Sequence, residues 1–152
     1  AKPLPKALSV DHAVALANHQ TTTGNPSLAA RDHCMVELLY GCGLRVGELT
    51  GLDVRAGGAD RGWVDIESPT EATAHVLGKG SKRRSVPVGG AARLALSEWL
   101  TLRTGTAKPD EPALFVSTRG TRITDSQVRT RLKTLAIQAR SHQSEQDRRR
   151  AN

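Results

Sequence analysis

Two short stretches carry residues able to act on a phosphate. In LLYGCGLRVGELTGLDV (38–54), Arg45 follows a glycine-rich turn and opens an expected short helix. From there its guanidinium points outward, and its planar fork suits two-point contact with a phosphate or carboxylate. Glu48, three residues on, is within reach to hold Arg45 in one rotamer. The same pair also fits an ordinary surface Arg–Glu contact, which is worth little. In VLGKGSKRRSVPV (76–88), Lys79 stands at the tip of an expected two-stranded hairpin, followed by Lys82, Arg83 and Arg84. An exposed ammonium there can enter a DNA groove and give a proton to a leaving oxygen. A basic hairpin can equally serve to blunt a sheet edge. A phosphate-binding P-loop is excluded: GxxxxGK[ST] needs Gly at 73 and Ser or Thr at 80, where Thr73 and Gly80 stand.

The elements that must position these residues come from a chain of 152 residues, a length that suits one domain. Hydrophobic residues make up 38%, enough for a core, and no apolar run approaches the ~18 residues of a membrane span. No signal peptide opens the chain, so a membrane protein and a disulfide-stapled secreted domain are excluded and a cytoplasmic protein is expected. The start at Ala1 rather than Met suggests a processed product or a fragment. The net charge of +7 is unevenly placed. Residues 1–118 carry 13 Lys/Arg against 12 Asp/Glu, whereas residues 119–152 carry 9 against 3. Such clustering attracts polyanions, nucleic acid foremost, although a solvated basic face would look the same. Cys34 and Cys42 on one helix would lie about 12 Å apart by the 1.5 Å rise, too far for a disulfide. Both are expected reduced. The five histidines show no metal-ligand spacing, so no structural zinc is expected.

Residues 1–8 read as a linker, and Ser9 as the cap of a helix over about 10–19. A second helix is expected over Leu28–Tyr40, closed by Gly41 and Gly43, with Tyr40 in core packing. A short helix follows, carrying Leu44, Leu49 and Leu52. RAGGADRG (55–62) is a turn. WVDI (63–66), HVL (75–77) and RSVPV (84–88) read as strands of a three-stranded antiparallel sheet. Residues 89–103 are helical and ALFV (113–116) is a buried run. Thr124 and Gln127 fit a capping box that opens a last helix. Its apolar stripe of Val128, Leu132, Leu135 and Ala139 leaves Arg129, Arg131 and Lys133 on other faces. Beyond Ile137 no large apolar residue remains, and 140–152 is expected to be a disordered basic tail. The fold class expected is α+β, mostly helical, with a small sheet on one side.

Taken together and in this order, the motifs resemble the tyrosine recombinases, or phage integrase family. LPKALSVDHAVAL resembles the linker and first catalytic-domain helix of the bacterial chromosome-dimer recombinases. ARDHCMVELLYGCGLRVGELTGLDV resembles their first-arginine motif, and HVLGKGSKRRSVPV their lysine hairpin. ALFVSTRGTRITDSQVRTRLKTLAIQA resembles the segment before their second arginine motif, with the GTRIT wording closer to the XerC type. The resemblance implies a partial recombinase catalytic domain over 9–139. It implies a Tyr hydroxyl attacking a DNA phosphodiester, a 3′-phosphotyrosyl link and no cofactor. Arg45 would bind the non-bridging oxygens of the scissile phosphate, Lys79 would protonate the leaving 5′-oxygen, and Glu48 would support Arg45. Lys82, Arg83, Arg84, Arg129, Arg131 and Lys133 would touch the DNA backbone. The partners implied are a double-stranded recombination site, a XerD-like sister recombinase and a septal DNA translocase.

The family pattern then asks for His-x-x-Arg, a further His or Trp, and the nucleophilic Tyr. His142 is followed by Gln143, Ser144 and Glu145, and the one tyrosine is Tyr40, upstream of Arg45. The chain is therefore expected to be truncated before those motifs and inactive alone. The alternatives are a non-catalytic DNA-binding or partner-binding module, and a basic structural domain.

Overall fold

The computed structural model describes residues 25–58 and 60–151. The expected linker and the helix over 10–19 lie outside them. The first helix, α1, spans Pro26–Val36. Asn25 caps it, its Oδ1 accepting from the Ser27 and Leu28 N–H groups at 2.9 and 3.5 Å. Proline follows at the first helical position, where its missing N–H costs nothing. The helix begins two residues before Leu28 because this cap closes it there.

α1 runs into a π-helical turn, Glu37–Gly41. Cys42 N–H donates to the Glu37 carbonyl at 3.0 Å, and Leu44 N–H to that of Leu38 at 3.1 Å. Gly43 takes φ +74°, a left-handed conformation that a side chain would strain. The chain turns there and enters α2, Val46–Thr50.

Four strands follow: β1 Leu52–Asp53, β2 Gly62–Ile66, β3 Glu71–Leu77 and β4 Arg83–Gly89. They lie in the order β1-β2-β3-β4. β2, β3 and β4 pair antiparallel, as expected. The three-stranded antiparallel expectation is corrected at the edge, where β1 pairs parallel with β2 through Leu52↔Gly62 and Asp53↔Trp63. Leu52 is thus a strand residue rather than the end of a helix. A two-residue strand has no alternation to read. It is held by tertiary bonds instead: Leu114 N–H donates to the Leu52 carbonyl, and Arg122 reaches the Thr50 and Leu52 carbonyls at 2.8 and 3.2 Å.

Helix α3, Gly90–Arg103, packs on α1. Trp99 is fully buried, stacks 6.3 Å from Phe115 and donates from Nε1 to the Leu114 carbonyl at 2.9 Å. The ALFV run is buried as expected, with Ala113 and Val116 in isolated bridges to Asp53 and Arg122. Tyr40 is half-buried and packed against the core.

The last helix, α4, spans Asp125–Ala151. Its cap is the expected reciprocal pair: Gln127 N–H donates to Thr124 Oγ1 at 3.1 Å, and Thr124 N–H to Gln127 Oε1 at 2.9 Å. Val128, Leu132, Leu135, Ala136 and Ala139 are its buried residues. The expected disordered tail is corrected: residues 140–151 continue the helix without burying a residue. Gln143–Asp147 and Arg149–Glu145 contacts at i,i+4 spacing support it. Backbone hydrogen bonds and such pairs replace the tertiary packing that the composition lacks.

Candidate nucleic-acid interface

The sheet topology decides what stands beside Arg45. β3 ends at Leu77 and β4 starts at Arg83, paired with each other, so the hairpin tip projects from one end of the sheet. Lys79–Ser81 form a 3-10 turn there, with Gly80 and Ser81 both at positive φ, and Gly78 N–H bonds the Lys82 carbonyl at 2.8 Å. Lys79, Lys82 and Arg83 are exposed.

Arg45 is the N-cap of α2, in extended conformation, with its side chain exposed. Its own N–H donates to Glu48 Oε1 at 2.9 Å. Glu48 is buried to 6% exposure, and its carboxylate meets the lysine hairpin. Arg84 donates from Nε to Oε2 at 3.1 Å and from a terminal nitrogen to Oε1 at 2.8 Å. The same terminal nitrogen donates to the Gly43 carbonyl at 3.2 Å. A β-carbon on Gly78 would lie 3.4 Å from Glu48 Oε2. The residue before Lys79 and the backbone of Arg45 therefore bracket one carboxylate. Arg84, followed by the Arg45 N–H and charge, holds that carboxyl below its ordinary value against the opposing effect of burial. Glu48 was expected to hold the Arg45 side chain; its hydrogen bonds instead take the Arg45 backbone and the Arg84 guanidinium.

The other basic residues divide. Arg83 turns to the opposite face of the sheet and donates to the Arg61 carbonyl at 3.2 Å. Arg131, expected at DNA, turns inward: its Nε donates to Asp32 Oδ2 at 2.6 Å. Asp32 is fully buried, and its Oδ1 accepts from Arg31 Nε and a terminal nitrogen at 3.1 and 2.9 Å. Arg129 is half-buried, its Nε enclosed and without a hydrogen bond among the described residues. Lys133 is exposed. Arg93 and Arg103 bond main-chain carbonyls, Arg93 that of Ser68 and Arg103 those of Glu111, Ala113 and Leu114. Arg31, Arg93, Arg103, Arg122 and Arg131, like Arg83 and Arg84, thus bond main-chain carbonyls or buried carboxylates. Apart from Arg31, which pairs with its neighbour Asp32, local spacing does not mark them, because the partner comes from a distant stretch of chain.

The sequence profile described as "Phage integrase family" matches residues 6–150, past residue 139, where the likeness was expected to stop. The chain is 49% identical over 147 residues to "Tyrosine recombinase XerC 1" of Ralstonia nicotianae, covering 91% of this chain and 43% of that one. It is 46% identical over 147 residues to "Tyrosine recombinase XerC" of Ralstonia pickettii, with the same coverage. Among solved structures, the crystal structure of XerA recombinase superposes with a TM-score of 0.62 at 28% identity, over 91% of this chain and 45% of that one. A XerH site-specific recombinase bound to its difH substrate shares the fold at 21% identity and a TM-score of 0.60, over 89% of this chain and 38% of that one. The chain spans less than half the length of these relatives. Among the described residues no helix is long and apolar enough to cross a membrane.

Proposed function

The chain belongs to the phage integrase family, and from that premise we propose that it is part of the catalytic domain of a XerC-like site-specific recombinase, supplying two of the groups that act on the scissile phosphate. The observation that carries this reading is the Glu48 carboxylate. It accepts the Arg45 N–H on one side and lies against Gly78, next to Lys79, on the other. The Arg45 backbone and the hairpin residue before Lys79 thereby meet at one carboxylate, which supports placing both side chains on one surface.

In this reading Arg45 binds the non-bridging oxygens of a DNA phosphodiester and neutralises the charge that builds as the phosphorus becomes five-coordinate. A tyrosine oxygen attacks phosphorus, its phenolic proton passing to solvent, and forms the 3′-phosphotyrosyl bond. The P–O5′ bond breaks, and Lys79 gives its proton to the departing 5′-oxygen. In the reverse step the freed 5′-hydroxyl attacks, its proton returns to Lys79, and tyrosine leaves as the phenolate, regaining its proton from solvent. The 152 residues hold no His-x-x-Arg, and their tyrosine, Tyr40, packs against the core. They supply the phosphate ligand and the proton donor, not the nucleophile. Lys82, Arg83, Arg129 and Lys133 add contacts to the DNA backbone. A XerD-like sister recombinase, a septal DNA translocase, and a role in chromosome partition and cell division in the cytoplasm follow from the XerC likeness.

Binding to duplex DNA across a salt series tests the proposal. The affinity should fall steeply between ~50 and 200 mM salt, and Arg45→Ala and Lys79→Ala should each flatten the slope by about one. A weak, salt-independent response, or wild-type binding by both variants, would refute it.

A further inference from the structure

We propose that Arg84 is a positioning residue: it fixes the distance between the Arg45 turn and the Lys79 hairpin, and it does not contact DNA. The proposal rests on the reading of Arg45 and Lys79 given above. Arg84 lies in a run of three cations, Lys82–Arg83–Arg84, that the sequence alone makes equivalent. The strand separates them. β4 alternates, so Arg83 and Ser85 face one side of the sheet, toward Arg61 and His75. Arg84, opposite the fully buried Val76 and two residues before the buried Val86, faces the other side, toward α2.

There its guanidinium makes three bonds to two residues. Two go to the Glu48 carboxylate and one to the carbonyl of Gly43, the residue whose left-handed turn aims Arg45. Glu48 Oε1 accepts from Arg84 and from the Arg45 N–H together. One planar fork thus grips both ends of the Gly43–Glu48 segment from the strand that closes the Lys79 hairpin. Glu48 is almost fully buried, so its partner must stay in place or leave a charge stranded. A lysine, with one compact ammonium, cannot reproduce two parallel bonds plus a third.

The test uses the 152-residue chain. Backbone amide NMR spectra are compared for wild type, Arg84→Ala, Arg84→Lys and Lys82→Ala, with duplex DNA affinity measured across salt for each. Both Arg84 variants should shift the Gly43–Arg45 and Gly78–Ser81 amides together, while Lys82→Ala shifts only the hairpin. The Arg84 Nε–H signal should be slow to exchange and lose that protection in Glu48→Gln. Arg84→Lys should weaken DNA binding several-fold with an unchanged salt slope, because the charge remains while the geometry is lost. Unmoved Gly43–Arg45 amides in both Arg84 variants would overturn the proposal, as would Arg84→Lys binding like wild type. Should the wild-type chain bind no DNA, the functional reading fails, and the amide shifts alone still decide the role of Arg84.

Discussion

The carboxylate of Asp32 on α1 accepts the Nε of Arg131 on α4 at 2.6 Å, across 99 positions of sequence. Asp32 has no solvent exposure, and Arg31 occupies its second oxygen. The pair therefore ties the first described helix to the last and withdraws Arg131 from the solvent-facing charge of α4.

Removing one partner of this cluster leaves buried charge uncompensated, which costs about 3–5 kcal/mol. Asp32→Ala should lower the stability measured by urea unfolding by that order. Arg131→Ala should also destabilise while leaving the salt dependence of DNA binding unchanged. Lys133→Ala should do the reverse, with stability near wild type and a slope reduced by about one.

Arg45 and Lys79 project from the surface, so truncating them removes no packing. Arg45→Ala and Lys79→Ala should keep unfolding free energies within about 0.5 kcal/mol of wild type. A large drop in either midpoint would assign that side chain to the fold rather than to a ligand.

Glu48 gives stability a defined pH dependence. Its carboxyl titrates lower in the folded state than in the unfolded chain. The unfolded chain therefore takes up a proton first as pH falls. The contribution is complete above the ordinary carboxylate value of about 4.3 and is lost as pH drops through the lower folded value. Acid unfolding followed by circular dichroism should show Glu48→Gln less stable than wild type at neutral pH, with the gap closing below pH about 4. A gap independent of pH would contradict the charged pairing with Arg84.

The last three turns of α4 bury nothing past Ala139. Deleting residues 140–152 should leave the thermal midpoint within about 2 °C, given how little free energy exposed residues carry. The amides of 141–151 should exchange hydrogen far faster than those of 128–136. Equal protection along the whole helix would show that its outer half is packed.

Much of this was legible because it is local. The Thr124–Gln127 cap, the three antiparallel strands, the turn at Gly43 and the hairpin around Lys79 all rest on residues a few positions apart. The parallel strand β1 was not legible, since two residues hold no period and Arg122 and Leu114 secure it from afar. Nor was the division of the arginines. Lys82, Arg83 and Arg84 read alike until a strand sends Arg84 to Glu48, and Arg131 reads as surface charge until Asp32 arrives from another helix. Glu48 was singled out for its spacing to Arg45, but its main side-chain partner lies 36 positions away.

The most direct test of the account walks a single neutral methylphosphonate, one backbone position at a time, through a XerC relative's recombination site and measures binding of wild type, Arg45→Ala and Lys79→Ala. Removing one phosphate charge should weaken wild type, and at one shared position the deficit of each variant should vanish, because its target is gone. If the two deficits vanish at different phosphates, or at none, Arg45 and Lys79 do not meet on one phosphodiester, and the recombinase reading of this site is wrong.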